Sequence, residues 1–192
     1  MNTLISYKNN PNLKTLILDE VVNHRKEDQI IQGTYGRENG KWRGCAVGCS
    51  IHSMNLKLGK KYKTDDHTAY ETELGIPEWL ARLEDTIFEG LPLEEAKLWP
   101  EQFLKAVPVG ANLEPVKWKF CAFILKENIE QVLKLEISDE LKKQVVDAVR
   151  GVLALHEKAI ETGEWDESAA ESAESAAESA AGAIRYLVGS FR

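Results

Sequence analysis

The chain has 192 residues, 43% of them hydrophobic, with five Trp, five Tyr and five Phe. That describes a globular protein with enough apolar material for a sizeable core, and it excludes a disordered chain. A net charge of −7 argues against general affinity for nucleic-acid backbones, which require clustered Lys and Arg. No direct nucleic-acid binding is therefore expected.

The charge is unevenly placed. From Glu161 to Arg192 seven acids accompany two bases, a net of −5, so residues 1–160 sum to only −2. Three cysteines, an odd number, suit a reducing compartment better than a disulfide framework. Met1 to Tyr7 lacks a basic signal-type start, and no apolar run approaches the roughly 18 residues of a membrane span. A cytoplasmic protein without membrane association is expected.

Asn10-Pro11 pairs a capping side chain with the residue tolerated at the first helical position. Leu13, Leu16, Ile17, Val21 and Ile31 recur at helical spacing, so a helix is predicted to run as far as Gly33. Asn39-Gly40 lies between Thr34-Tyr35-Gly36 and Lys41-Trp42-Arg43. This is the strongest short hairpin signal, and it predicts one small β-hairpin near residues 34–43.

The next twelve residues, Gly44 to Asn55, carry no charged side chain. Such a run is costly in water and readily buried. It reads as a short central helix wrapped by others, with Gly44 and Gly48 admitting a neighbouring backbone. A basic loop, Lys57 to Lys63, follows. Thr64-Asp65-Asp66 then caps a helix to Leu74, which Gly75 stops.

Trp79, Leu80, Leu83, Ile87 and Phe88 form the apolar stripe of an amphipathic helix whose polar face carries Glu78, Arg82, Glu84, Asp85 and Glu89. Two short proline-led helices are predicted over 92–98 and 100–107. Longer ones follow from Pro115 to Leu135 and from Ser138 to Gly163. Asp166 caps a last helix built from Ser-Ala-Ala-Glu, Ser-Ala-Glu and Ser-Ala-Ala-Glu. Its repeat of about 3.5 residues lays glutamate, serine and alanine in three ribbons.

The expected architecture is thus all-α, a compact bundle of about seven helices with one small hairpin. Residues 1–163 would form the helical core domain. Residues 164–192 would be an Ala/Ser/Glu-rich terminal helix docked on it.

Two residue sets have the types and spacing for chemistry. Cys45, Cys49 and His52 lie at i, i+4 and i+7, one face of a helix, and thiolate and imidazole are preferred zinc ligands. A fourth ligand would come from His24, His67 or Cys121. Core packing is the plainer reading, because buried free cysteine behaves as a small hydrophobe. The second set is His24, Asp28, His67, Glu71 and Asp85, with Glu89 beyond. If those faces converged, they would hold divalent cations and a hydrolytic water. Capping and surface pairing is the plainer reading here.

Gly36 to Trp42 is one residue short of a phosphate loop and puts Trp where Ser or Thr must hold magnesium. No dinucleotide fingerprint and no oriented nucleophile–base pair is visible, and no cofactor is implied.

Gly44-Cys-Ala-Val-Gly-Cys49, Tyr70-Glu-Thr-Glu-Leu-Gly-Ile-Pro77, Trp79-Leu-Ala-Arg-Leu-Glu-Asp85 and Phe88-Glu-Gly-Leu-Pro92 together resemble a group of uncharacterised phage and bacterial proteins. Trp99-Pro100, Pro108-Val-Gly-Ala-Asn-Leu113 and the Ser/Ala-rich tail fit the same pattern. The resemblance implies a microbial or phage intracellular setting and carries no activity and no functional residues. The sequence therefore favours a non-catalytic interaction or regulatory protein, with a protein partner or a second copy as its target. One form is an acidic decoy, in which Glu167, Glu171, Glu174 and Glu178, about 5 Å apart along a helix, mimic a phosphate strand. The alternative is a metal-dependent hydrolase using the His/Asp/Glu set.

Overall fold

A computed structural model of the chain describes residues 3–38, 41–169 and 171. The fold is mostly α-helical, as expected, and divides into two compact units, Met1–Glu114 and Pro115–Arg192. The division falls at Glu114–Pro115, whereas the sequence expectation kept all helices up to residue 163 together. No helix of the described residues is long and apolar enough to cross a membrane.

The first unit holds helices α1 (Pro11–Lys26), α2 (Ala46–Leu58), α3 (Glu78–Gly90), α4 (Leu93–Ala96) and α5 (Trp99–Ala106), with short strands β1 (Arg37–Glu38) and β2 (Trp42–Arg43). The strands pair antiparallel, Arg37 opposite Arg43 and Glu38 opposite Trp42. The Asn39-Gly40 turn lies outside the described residues.

Helix α2 is the centre of this unit, with α1, α3 and α5 packed on it. Ala46 through Ile51, Ser53 and Met54 are all buried. Each large apolar side chain so removed from water contributes about 1.5–3 kcal/mol. The uncharged run exists because this helix has no solvent face over most of its length.

Helix α1 starts as predicted: the Asn10 side chain accepts from the backbone N–H of Asn12 and Leu13. It ends at Lys26, seven residues before Gly33. Asp28 takes φ 52°, and the chain then runs extended, with Ile31 N–H donating to the Gly44 carbonyl and Gly44 N–H to that of Gln29. Ile31 therefore owes its helical spacing to chance. Its backbone bonds are spent on the approach to α2.

Two local conformations were not foreseen. Tyr7, Lys8 and Asn9 all have φ between 51° and 56°, a left-handed turn that costs about 1–2 kcal/mol per residue. It is held by the hydroxyl of Tyr7, which donates to the Leu104 carbonyl at 2.8 Å, and by Ser6, whose hydroxyl donates to the Pro108 carbonyl and accepts from Ala111 N–H. The second is a π-helical turn, Tyr70–Leu74, in place of the predicted α-helix. Gly75 closes it at φ 61°, where a Cβ would lie 2.1 Å from the Ile5 carbonyl oxygen.

The second unit contains a helical hairpin, α6 (Val116–Lys134) and α7 (Asp139–Thr162). The Ser138 hydroxyl caps α7 by accepting from Leu141 N–H, and Gly163 ends it in the left-handed conformation. Ala122, Val146 and Ala159 are buried, while Phe123, Leu133 and Leu135 remain more than half exposed. Asp166 accepts from Ala169 N–H, the predicted cap. The rest of the segment predicted as a terminal helix, Glu174 and Glu178 included, lies outside the described residues.

Candidate functional site

The site forms where the start of α2 meets α3 and the segment before β1. Cys45 is the N-cap of α2, its sulfur accepting from Gly48 N–H at 3.4 Å. Its own N–H donates to the Thr34 carbonyl. Gly44 and Gly48 let Tyr35 lie directly on α2: a Cβ on Gly48 would sit 1.9 Å from the Tyr35 carbonyl oxygen. From there the Tyr35 hydroxyl reaches α3 and donates to Asp85 Oδ2 at 2.7 Å. Glu89, one turn further along α3, accepts from Gly33 N–H with both carboxylate oxygens.

As a result Cys45, Asp85 and Glu89 bring one ligand-type atom each to within 4.8 Å of one another. They grade from buried through half-buried to exposed, so the site opens towards Glu89. Neither carboxylate has a Lys or Arg partner among the described residues. Asp85 Oδ1 is buried and has no hydrogen-bond partner.

His67 stands at the edge, its Nε2 3.6 Å from Asp85 Oδ2. Its Nδ1 lies 3.0 Å from the Asp65 carbonyl oxygen, which can only accept, so Nδ1 carries the hydrogen. In the neutral ring Nε2 is then a bare acceptor facing a carboxylate, at a distance too long for a hydrogen bond.

The electrostatics follow from burial and the two acids. Burial pushes the Cys45 thiol up, and the Asp85 and Glu89 charges push it the same way, against the Gly48 N–H. The Tyr35 hydroxyl is pushed up to about 12, chiefly because it donates to Asp85. The helix N-terminus alone does not make Cys45 a thiolate here. A bound cation would, because a metal inverts the local preference and deprotonates a coordinating thiol.

Behind this site lies Glu84, fully buried, with its Oε2 accepting from the Tyr70 hydroxyl at 2.6 Å. Burial, aided by the Asp85 charge and opposed by Tyr70, pushes its carboxyl up to about 8. Its Oε1 and the Ser50 hydroxyl are buried without partners.

The two sets singled out in the sequence are redistributed. Cys49 turns into the core and donates to the Gly44 carbonyl. His52 stacks on Trp42, ring centroids 4.1 Å apart and planes within 3°. His24 lies 5.3 Å from the His52 ring, with Nδ1 3.4 Å from the Ser53 hydroxyl. Burial, with His52 adding, holds it down to about 4. Asp28 is exposed and faces Arg43 and Lys97. Glu71 caps α3, accepting from Glu78 N–H at 2.9 Å. Of that set only His67 and Asp85 meet, and Asp85 meets Cys45 from the other. Glu167 and Glu171 are exposed.

Sequence reasoning did not single out Tyr35 or Glu84. The signal for Glu89 was its spacing of four from Asp85 on one helix.

No family model, no curated protein and no solved structure matches this chain.

Proposed function

We propose that the first unit is a metal-dependent hydrolase whose divalent ion is held by Cys45, Asp85 and Glu89. The observation that supports this reading is the convergence of a buried thiol, a carboxylate oxygen without a partner and a second carboxylate, with no Lys or Arg paired to either acid among the described residues. Holding the half-buried Asp85 carboxylate with one oxygen unpartnered is unfavourable unless something pairs with it. One thiolate with two carboxylates suits zinc, whose ligand bonds of about 2.0–2.3 Å put neighbouring ligand atoms roughly 3.3–3.7 Å apart.

When bound, the ion would supply a water acidic enough to act as a nucleophile near neutral pH. The chain's own residues divide the remaining work. Tyr35 fixes Asp85 through its hydroxyl, His67 offers Nε2 beside the same carboxylate to hold a proton, and the exposed side at Glu89 admits substrate. A nucleophilic free thiolate is less well supported, because burial and both acids disfavour it.

The test is metal content of protein purified without added metal, followed by titration with Zn²⁺ and Co²⁺. Stoichiometric binding, a thiolate-to-cobalt absorption band, its loss in Cys45→Ser and turnover of ester or phosphodiester substrates are expected. A folded protein with no bound ion and no thermal shift on metal addition would end the reading.

A second reading, the interaction protein favoured by the sequence, is supported by one observation on the α6/α7 hairpin. Phe123, Leu133 and Leu135 are 57%, 52% and 51% exposed, and exposed apolar side chains of this size are the material of protein–protein contacts when they cluster. Sedimentation of the full chain across a concentration series tests it: a single monomeric species throughout removes self-association.

A further inference from the structure

The left-handed turn and the π-helical turn meet at one cavity of about 380 Å³, remote from Cys45 in sequence and lined by Leu4, Ile5, Lys8, Asn9, Glu71 and Gly75. Its volume is near the lower end of the roughly 300–1,000 Å³ typical of small-molecule sites. Most of its surface is apolar, with opposite charges on facing segments. Neither charge is fully engaged.

Lys8 Nζ is 3.8 Å from Glu73 Oε2, beyond hydrogen-bond distance. Glu73 is already served at its other oxygen by the Tyr62 hydroxyl at 2.7 Å and by Lys60 at 2.9 Å. Glu71 spends Oε1 on the N–H of Glu78 and has no cation partner among the described residues. Lys8 and Glu71 do not pair with each other either, although both line the cavity. The left-handed turn puts Lys8 and Asn9 on one wall and the π-helical turn puts Glu71 on another. Gly75 keeps the two segments in contact, since a side chain there would strike the Ile5 carbonyl.

We propose that this cavity binds a free α-amino acid with an aliphatic side chain. The ligand carboxylate pairs with Lys8 and its ammonium with the free oxygen of Glu71, while Leu4 and Ile5 take the side chain. A fatty acid would satisfy only Lys8, and an alkylamine only Glu71, so the zwitterion is the chemistry that uses both. This inference does not depend on the metal site.

The experiment is calorimetric titration of the full chain with L-leucine in the presence of EDTA, which removes chelation by a bound ion as an explanation. Leucine should bind with 1:1 stoichiometry. Leucinol, without the carboxylate, and 4-methylpentanoate, without the amine, should each bind at least about tenfold more weakly, the loss expected for one charge-assisted contact. Lys8→Gln and Glu71→Gln should each cost a similar factor; the glutamine at 71 retains an oxygen to cap Glu78. Cys45→Ser should leave leucine affinity unchanged. No heat and no ligand-detected NMR signal up to about 20 mM leucine, with native circular dichroism, would overturn the proposal. An analogue that binds as tightly as leucine, or a variant that binds leucine as tightly as the wild type, would overturn it as well.

Discussion

Gly48 and Tyr35 are locked together by the absence of a side chain: a Cβ at position 48 would lie 1.9 Å from the Tyr35 carbonyl oxygen and 2.8 Å from its carbonyl carbon. This approach fixes where the segment before β1 crosses α2. It thereby aims the Tyr35 hydroxyl at Asp85, 2.7 Å away. The position of a carboxylate on α3 thus depends on a glycine in α2 that touches neither Asp85 nor Glu89 in this arrangement, only the Cys45 sulfur through its N–H.

Gly48→Ala should accordingly destabilise the first unit by about 1–3 kcal/mol or more, the usual cost of forcing extra atoms into a packed interior. Backbone faces backbone here, so no side chain can rotate away. Gly151→Ala is the control, since Gly151 lies inside α7 with nothing within 4 Å of its would-be Cβ. That change should stabilise by about 0.5–1 kcal/mol through helix propensity. Denaturant unfolding of both variants measures the contrast, and a Gly48→Ala midpoint equal to wild type would disprove the close approach.

Tyr35→Phe probes the next link. It removes the donor to Asp85 while keeping the ring that meets His67 edge-on at 5.7 Å. Loss of such a supporting partner typically weakens metal binding by about 10–100-fold. A Co²⁺ titration followed by absorbance should show that loss with the fold intact. Unchanged affinity would mean that Tyr35 does not orient Asp85.

The sequence spoke clearly about burial and poorly about direction. A twelve-residue stretch without charge identified α2 as interior, and Asn10, Ser138, Gly75 and Gly163 marked helix ends from local chemistry alone. What periodicity could not supply was which face meets which neighbour. Cys45, Cys49 and His52 share a helix face in spacing, yet Cys45 is the cap residue and lies outside the regular turns. Its sulfur therefore points to α3 while His52 points to Trp42. His67 and Asp85 are eighteen positions apart in sequence, and their meeting depends on a π-helical turn that no residue pattern announced. Ile31 had the right spacing for α1 and the wrong backbone, because pairing with Gly44 outweighed helix continuation.

The three thiols should separate by reactivity. Cys45 and Cys49 are 1% and 0% exposed, whereas Cys121 is half-buried. Burial pushes all three thiols up, with Lys117 opposing it at Cys121. Under native conditions Cys121 should react with an aromatic disulfide first. The other two should wait for local opening and lag by on the order of 10²-fold. Mass mapping of the labelled peptides against time decides the order, and early modification of Cys45 would place it at an accessible surface.

Glu84 and His24 give the protein opposing pH dependences, and the sign of each follows from which state holds the proton. The Glu84 carboxyl sits at about 8 when folded against an ordinary 4.5. The folded chain therefore keeps a proton that the unfolded chain has lost, and stability falls as pH rises between those values, by about 1.4 kcal/mol per unit. His24 sits at about 4 when folded against an ordinary 6.5. Its contribution is present above 6.5 and is lost as pH falls towards 4. Between about 4.5 and 6.5 the two slopes offset each other; from 6.5 to 8 Glu84 acts alone and removes roughly 2 kcal/mol. Glu84→Gln keeps the size and the oxygen that accepts from Tyr70, so its stability should be flat over that upper range while the wild type declines. Urea unfolding from pH 6 to 8.5 compares the two directly. Parallel pH curves would show that Glu84 is already ionised in the folded protein, and with it that the interior behind Asp85 is more polar than its packing implies.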